Sequence, residues 1–294
     1  MQLTPTQIDE FNTRGVLIAP DALTHDDQQP LIDELCEWID ARAKALHAEG
    51  KLSELHEDAP FTTRYGLLFK QCSEIGQGMD IMRYRGRAIF EFLRNDNLLD
   101  LLESLLGPEI TCNPIQHLRS KPPQAYENRE GPSFHNVPWH QDAGVMMPEA
   151  ESSEVVTCWF PLADAMVEHG CMEVLPGIVE TGYLRHQAAG GTTIIPEVMP
   201  EAKPLALECK RGDVVLMSRF TPHRSTPNFS DQCRWSLDLR YQPTGQHTGR
   251  TGHPDFIARS HRDPASELSN YKEWCHRWVD AFESPNGVVM HRGE

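Results

Sequence analysis

The segment Pro138–Trp139–His140–Gln141–Asp142 sets an imidazole and a carboxylate two residues apart. In an extended chain, side chains i and i+2 share one side, so His140 and Asp142 would face inward together, with Gln141 pointing away. Two polar groups turned inward need a partner. A metal ion is one such partner, but two ligands do not complete a site, and a lone His-x-Asp is a weak signal. The third ligand has to come from a distant strand. His223 is the candidate: it follows the run GDVVLMS, sits in a Pro-bounded turn and lies 81 residues beyond Asp142. Two imidazoles and one carboxylate form a facial triad, which leaves positions open on an octahedral iron(II). The other histidines suit the role less well. His135 reads as loop; His117, His169 and His186 read as strand ends or turns. His247, His253 and His261 read as surface in a polar tail.

Eleven residues past His223, Arg234 opens the run RWSLDLRY. A guanidinium holds a carboxylate through two parallel hydrogen bonds, and Ser225 or Ser236 could add a hydroxyl. The strand period places Arg234, Ser236, Asp238 and Arg240 on one face, with Trp235, Leu237, Leu239 and Tyr241 on the other. A face that polar inside a barrel suits an oxoacid cosubstrate.

These residues need a scaffold. The N-terminal third reads as helical. Thr4 caps a helix that has Pro5 in its first turn and Gly15 as its stop, and GVLIAP reads as a strand. Leu31, Leu35, Trp38, Ile39 and Leu46 repeat at helical spacing through DDQQPLIDELCEWIDARAKALHAEG, and DNLLDLLESLLG forms another helix closed by Gly107 and Pro108. From residue 110 the texture changes to short β-rich runs between Pro/Gly turns: ITCNPIQHL, VVTCWFPL, CMEVLPGIV, LALECKRGDVVLMS and RWSLDLRYQP. That pattern predicts an antiparallel sandwich or barrel. A last helix is expected from near Pro264, with Tyr271, Trp274, Trp278 and Phe282 docking it. We read one domain: a helical layer over about 1–108, a β core over about 110–245 and an extension over about 246–294.

Composition agrees with an ordinary globular chain of 294 residues, 39% hydrophobic. The net charge of −16 argues against nucleic acid or an anionic membrane as the main partner. No leader pattern and no long apolar run is seen. The eight cysteines are scattered without a C-x-x-C pair, as expected of reduced thiols in a cytoplasmic protein.

With His140, Asp142, His223 and Arg234 in place, the chain resembles the phytanoyl-CoA dioxygenase family of iron(II)- and 2-oxoglutarate-dependent oxygenases. The segments carrying the resemblance are QHLRSKPP, WHQDAGV, TCWFPLADAMVEHGCMEVLPG and KRGDVVLMSRFTPHRSTPNFSDQCRWSLDLRYQPTG. It implies a double-stranded β-helix, the distorted jelly roll of cupin-like folds. It also implies iron(II) on His140, Asp142 and His223, with 2-oxoglutarate held by Arg234 and Ser225. Gln116, Gln141 and Thr157 match positions near the cosubstrate. The acid at 142 implies oxygen insertion or dehydrogenation rather than halogenation. Dioxygen is the second cosubstrate, and succinate and carbon dioxide are the coproducts.

Two other readings use the same three ligands: a non-catalytic metal-binding cupin-like domain, and a metal-dependent hydrolase or isomerase. The substrate expected for an oxygenase is a small molecule, a secondary metabolite or lipid-like compound. Arg64, Arg83, Arg85, Arg119 and Lys121 could line an anion pocket, such as one for a coenzyme A thioester, although the plain expectation for them is solvated surface. Phe61, Tyr65, Phe69, Phe134 and Trp139 would instead suit an apolar metabolite. Residues 119–137 and 180–196, rich in Pro, Gly and polar side chains, read as lids.

Overall fold

The computed structural model describes residues 1–127 and 135–283. Its first element, α1 (Pro5–Arg14), starts at a reciprocal capping box between Thr4 and Gln7 and stops at Gly15, whose φ of 71° suits glycine. The chain then forms β1 (Val16–Ala19) and α2 (His25–Ala48), the latter opened by a second capping box from Thr24 to Asp27. Three helices follow that the sequence pattern did not announce: α3 (Phe61–Gln71), α4 (Ile81–Tyr84) and α5 (Arg87–Phe92). The helix α6 (Asp96–Leu106) buries Leu98, Leu99, Leu101, Leu102 and Leu106, as its leucine spacing predicts.

The β region divides into short strands. They are β2 (Glu109–Cys112), β3 (His117–Lys121), β4 (Val156–Pro161), β5 (Met172–Val174), β6 (His186–Ala188), β7 (Thr192–Ile194), β8 (Leu205–Leu207), β9 (Val214–Ser218), β10 (His223–Ser225), β11 (Arg234–Pro243) and β12 (Phe256–Ser260). All pairings are antiparallel. The large sheet runs β1-β9-β4-β11-β2-β12, with β3 also on β11; β10-β5-β8 forms a smaller sheet and β6-β7 a hairpin. Strands from both flanks, β1 and β12, thus extend the sheet beyond the 110–245 segment. The final helix α7 (Tyr271–Glu283) begins later than expected, because Pro264–Ser266 is a separate single turn.

Alternation decides which residues meet. On the outer face of the large sheet, Trp235, Leu237, Leu239, Tyr241, Val156, Cys158, Phe160 and Leu216 join the helices in the main core. On the inner face, Trp159, Val215 and Met217 pack with Met172, Val174 and Leu207 of the small sheet. Two sheets closed on each other in this way make the double-stranded β-helix. All eight cysteines are free, and no helix among the described residues is long and apolar enough to cross a membrane.

Candidate active site

His140 and Asp142 do not share a regular strand. His140 forms a single bridge with His223: its N–H donates to the His223 carbonyl at 3.0 Å, and the His223 N–H returns the bond at 2.9 Å. The rings are brought to 4.1 Å between centroids. The chain then turns, and Asp142 opens the short helical turn Asp142–Val145. That turn, rather than a two-residue period, swings the carboxylate beside the imidazoles, with Asp142 Oδ1 3.9 Å from His223 Nε2. One ligand atom from each of His140, Asp142 and His223 lies within 4.8 Å of the others, and all three residues are buried.

Both imidazoles are oriented by backbone. His140 Nδ1 lies 2.9 Å from the Pro138 carbonyl and His223 Nδ1 lies 3.0 Å from that of Thr221. A carbonyl only accepts, so each Nδ1 carries the hydrogen and each Nε2 keeps its lone pair for a metal. Burial and the neighbouring His223 push His140 down to about 3, keeping it neutral. Burial alone would raise the Asp142 carboxyl. Arg240, foremost among the nearby positive charges, instead holds it well below the usual carboxylate range. Arg240 Nη2 donates to Asp142 Oδ1 at 2.5 Å, and the Thr157 hydroxyl donates to Oδ2. Two imidazoles and an ionised carboxylate are the donor set that suits a divalent transition metal.

The triad lines a cavity of about 500 Å³. Arg234 of β11 stands directly across from Lys121 of β3, two basic side chains in one register pair. Both side chains are buried, line the cavity and have no carboxylate partner among the described residues. Arg234 donates from Nη1 to the Ser236 hydroxyl at 2.5 Å and lies 5.4 Å from the Trp159 ring, while its Nε is buried without a partner among the described residues. Lys121 donates to Asn136 at 2.9 Å, to the Ser225 hydroxyl at 3.0 Å and to the Thr226 carbonyl. Burial, then Arg234, pushes Lys121 down to about 6. Charging both would set like charges opposite each other, which destabilises a sheet, and a carboxylate between them would remove that cost.

Four candidate cosubstrate residues have other tasks. The Gln141 amide donates to the carbonyls of Gly182 and Phe220 and accepts from the Leu184 N–H, tying the 182–184 segment to the ligand turn. Thr157 holds Asp142. Gln116 donates to the Asn113 and Arg240 carbonyls. Ser236 is buried behind Arg234. None of the four lines the cavity, whereas Ser225 does.

Other expectations also change. His253 is not surface: it lines the cavity and packs against Trp278 of α7 in a tilted ring pair at 5.2 Å. His117 lines it too, paired to Asp80 at 3.0 Å. Phe61 and Tyr65 pack on Trp235 in the helical core, and Trp139 lies under Arg224, so the aromatic set is no substrate wall; Phe134 lies outside the described residues. Arg64, Arg83 and Arg85 point elsewhere, while Arg119 and Lys121 reach the cavity. Of the expected lids, residues 128–134 lie outside the description. The 180–196 stretch holds the β6-β7 hairpin, whose tip at Gly190–Thr192 borders the cavity.

The ligand turn itself is tight. A Cβ at Gly144 would stand 2.7 Å from the His186 ring, which accepts the Gln141 N–H at 3.0 Å. Gly144→Ala is expected to displace His186 and cost about 1–3 kcal/mol. The check is a lowered melting temperature relative to the parent chain.

A double-stranded β-helix presenting His-x-Asp and a distant His beside a buried pair of basic side chains defines the non-haem iron oxygenase framework. The family profile for phytanoyl-CoA dioxygenase (PhyH) matches residues 27–236, and the chain belongs to this family of iron(II)- and 2-oxoglutarate-dependent oxygenases. A Dictyostelium discoideum phytanoyl-CoA dioxygenase domain-containing protein 1 homolog is 29% identical over 113 residues, 35% of this chain and 39% of that protein. The Bos taurus phytanoyl-CoA dioxygenase domain-containing protein 1 is 25% identical over 282 residues, covering 82% of this chain and 96% of its own. Among solved structures, the non-heme monooxygenase ThoJ superposes with a TM-score of 0.57 at 20% identity, over 95% and 94% of the two chains. The epimerase SnoN, solved with Fe3+, alpha ketoglutarate and nogalamycin RO, gives 0.56 at 18%, over 83% and 86%. These likenesses establish the fold.

Proposed function

We propose that the chain acts as a single oxygenase domain that uses iron(II), 2-oxoglutarate and dioxygen to oxidise an unactivated C–H bond of a small metabolite. The outcome is hydroxylation, or desaturation or cyclisation, with succinate and carbon dioxide released. The observation that carries this reading is the pair of buried basic side chains, Arg234 and Lys121, which make no ion pair among the described residues and line the cavity that holds the triad. A metal kept for structure alone needs no carboxylate anchor, and a dicarboxylate cosubstrate does.

In this reading His140 Nε2, His223 Nε2 and an Asp142 oxygen hold the iron. When bound, iron supplies dioxygen activation coupled to decarboxylation of the oxoacid. The protein's part is position. The Pro138 and Thr221 carbonyls fix both imidazole tautomers, and Arg240 and Thr157 fix the carboxylate. Arg234 and Lys121 grip the far carboxylate of 2-oxoglutarate, with the Ser225 hydroxyl alongside. The β6-β7 tip borders the space left for substrate.

The test is anaerobic addition of iron(II) and then 2-oxoglutarate, followed by the weak visible charge-transfer absorbance of the chelate. The wild-type protein is expected to develop the band. Arg234→Leu should need roughly 10- to 100-fold more oxoacid, the loss of a charged hydrogen-bonding group. No band with metal demonstrably bound would remove the oxygenase reading.

A further inference from the structure

The protein carries 43 acidic against 27 basic residues, yet the cavity reverses that sign. Among the described residues, six basic side chains line it against three carboxylates, Asp80, Asp142 and Asp238. Most of these charges are matched. Arg240 pairs with Asp142 and Asp238, Arg224 with Glu173, and Asp80 with His117. Arg234 and Lys121 are matched once 2-oxoglutarate lies between them. Two cations remain, Arg119 and Arg250, and nothing in the oxygenase reading uses them.

Arg250 is the more telling. It lies in the connection from β11 to β12 and is only 7% exposed. Its Nε donates to the Val145 carbonyl at 3.0 Å. Its two terminal nitrogens have neither a hydrogen-bond nor an ion-pair partner among the described residues, and the side chain lines the cavity. A buried charge is costly unless paired, and the charge that acts on Arg250 is that of Arg240, which only adds repulsion. Arg119 of β3 is exposed at the same cavity and likewise has no ion pair among the described residues. Asp80, the acid whose charge it feels, already accepts from His117 and from the Ile81 and Leu118 N–H groups. Ile115, Val145 and the His253 ring add less polar wall around this end.

We propose that the substrate is an organic anion, a carboxylate or phosphate monoester, whose oxyanion is held by the terminal nitrogens of Arg250, with Arg119 adding charge from the exposed side. This assigns a substrate class to the oxygenase reading and rests on it. Such a site rejects an uncharged isostere, because that ligand would leave Arg250 buried and unmatched.

The experiment uses benzoate and phenyl phosphate as probes and benzamide as the uncharged control. Each is titrated calorimetrically into full-length protein held anaerobically with saturating iron(II) and 2-oxoglutarate, so the Arg234–Lys121 end is already filled. At least one anion is expected to bind with one-to-one stoichiometry while benzamide does not, and the preferred anion separates the carboxylate source from the phosphate source. Arg250→Gln and Arg119→Gln should each weaken that anion about tenfold or more. Should Arg250→Gln not fold, Arg119→Gln, on an exposed side chain, carries the comparison. Benzamide binding as tightly as the anions, no binding of either anion, or unchanged anion affinity in the folded variants would overturn the inference. The charge-transfer band recorded in the same samples separates the two readings. Its absence from the wild type removes the oxygenase function, whereas a normal band without anion binding removes only the anion site.

Discussion

Arg240→Leu is expected to cost the metal-free protein about 3–5 kcal/mol, the scale for breaking a buried ion pair by removing one partner. Arg240 is 3% exposed and touches two carboxylates, Asp142 at 2.5 Å and Asp238 at 3.3 Å. Leucine fills much of its volume but strands both acids, and Asp142 has no exposure at all. At about 2–4 °C per kcal/mol for a domain of this class, the melting temperature should fall by roughly 6–20 °C. Iron(II) changes the comparison. A divalent ion seated at Asp142 restores a positive charge there, so adding metal before melting should recover more stability in the variant than in the parent. A deficit that metal leaves untouched would mean that Asp142 is not a ligand. The measurement thus reads the metal seat through stability, independently of turnover.

The second large effect lies at the other end of the cavity. Affinity for 2-oxoglutarate is expected to fall as pH rises above 6, by up to about tenfold per pH unit. Burial, then Arg234, lowers the Lys121 pKa from its ordinary 10.5 to about 6. The empty pocket therefore holds a neutral amine at neutral pH. A bound carboxylate favours the ammonium, so binding takes up a proton, and a process that takes up a proton weakens as protons become scarce. Calorimetry at pH 8 in two buffers of different ionisation enthalpy should show uptake approaching one proton per 2-oxoglutarate, and Lys121→Met should abolish it. No uptake in the parent chain would dismiss Lys121 as a titrating anchor. The stability sign follows from the same shift. Between 6 and 10.5 the unfolded chain holds a proton that the folded chain has lost, so this lysine's cost is full below pH 6 and fades as pH climbs towards 10.5. Lys121→Met should accordingly stabilise the cosubstrate-free protein most on the acid side.

Elements whose start and stop signals lie within their own residues were legible in the sequence. Thr4, Pro5 and Gly15 mark α1, the spacing of Leu31, Leu35, Ile39 and Leu46 marks α2, and the leucine spacing marks α6. The helix α5 was not legible, because its cap comes from another element: the Glu34 carboxylate of α2 accepts from the Ala88 and Ile89 N–H groups. The alternation in RWSLDLRY placed Arg234, Asp238 and Arg240 on the cavity side. It could not say that Arg240 reaches Asp142, since that depends on where a distant turn closes. Lys121 was one of five basic residues for which solvated surface was the plain expectation; its burial and its register opposite Arg234 place it at the cavity instead. His253 was misplaced for a similar reason, since α7 covers a tail whose composition alone says solvent. Gln141 was sequence-adjacent to the ligands and drew a cosubstrate role by proximity, yet its amide is spent on backbone.

The placement of β11 has a consequence for the order of events during synthesis. This strand pairs along one edge with β4 and along the other with both β2 and β3. It also delivers Arg234, Asp238 and Arg240, so the sheet has no middle and the buried Asp142 no Arg240 beside it until residue 243 has left the ribosome. The helical layer, which packs on the outer face of that strand through Trp235, Leu237 and Tyr241, must wait as well. A nascent chain halted before β11 would expose both halves of the unfinished core. Protease resistance in ribosome-bound fragments should therefore arise abruptly after that strand emerges, rather than growing with length.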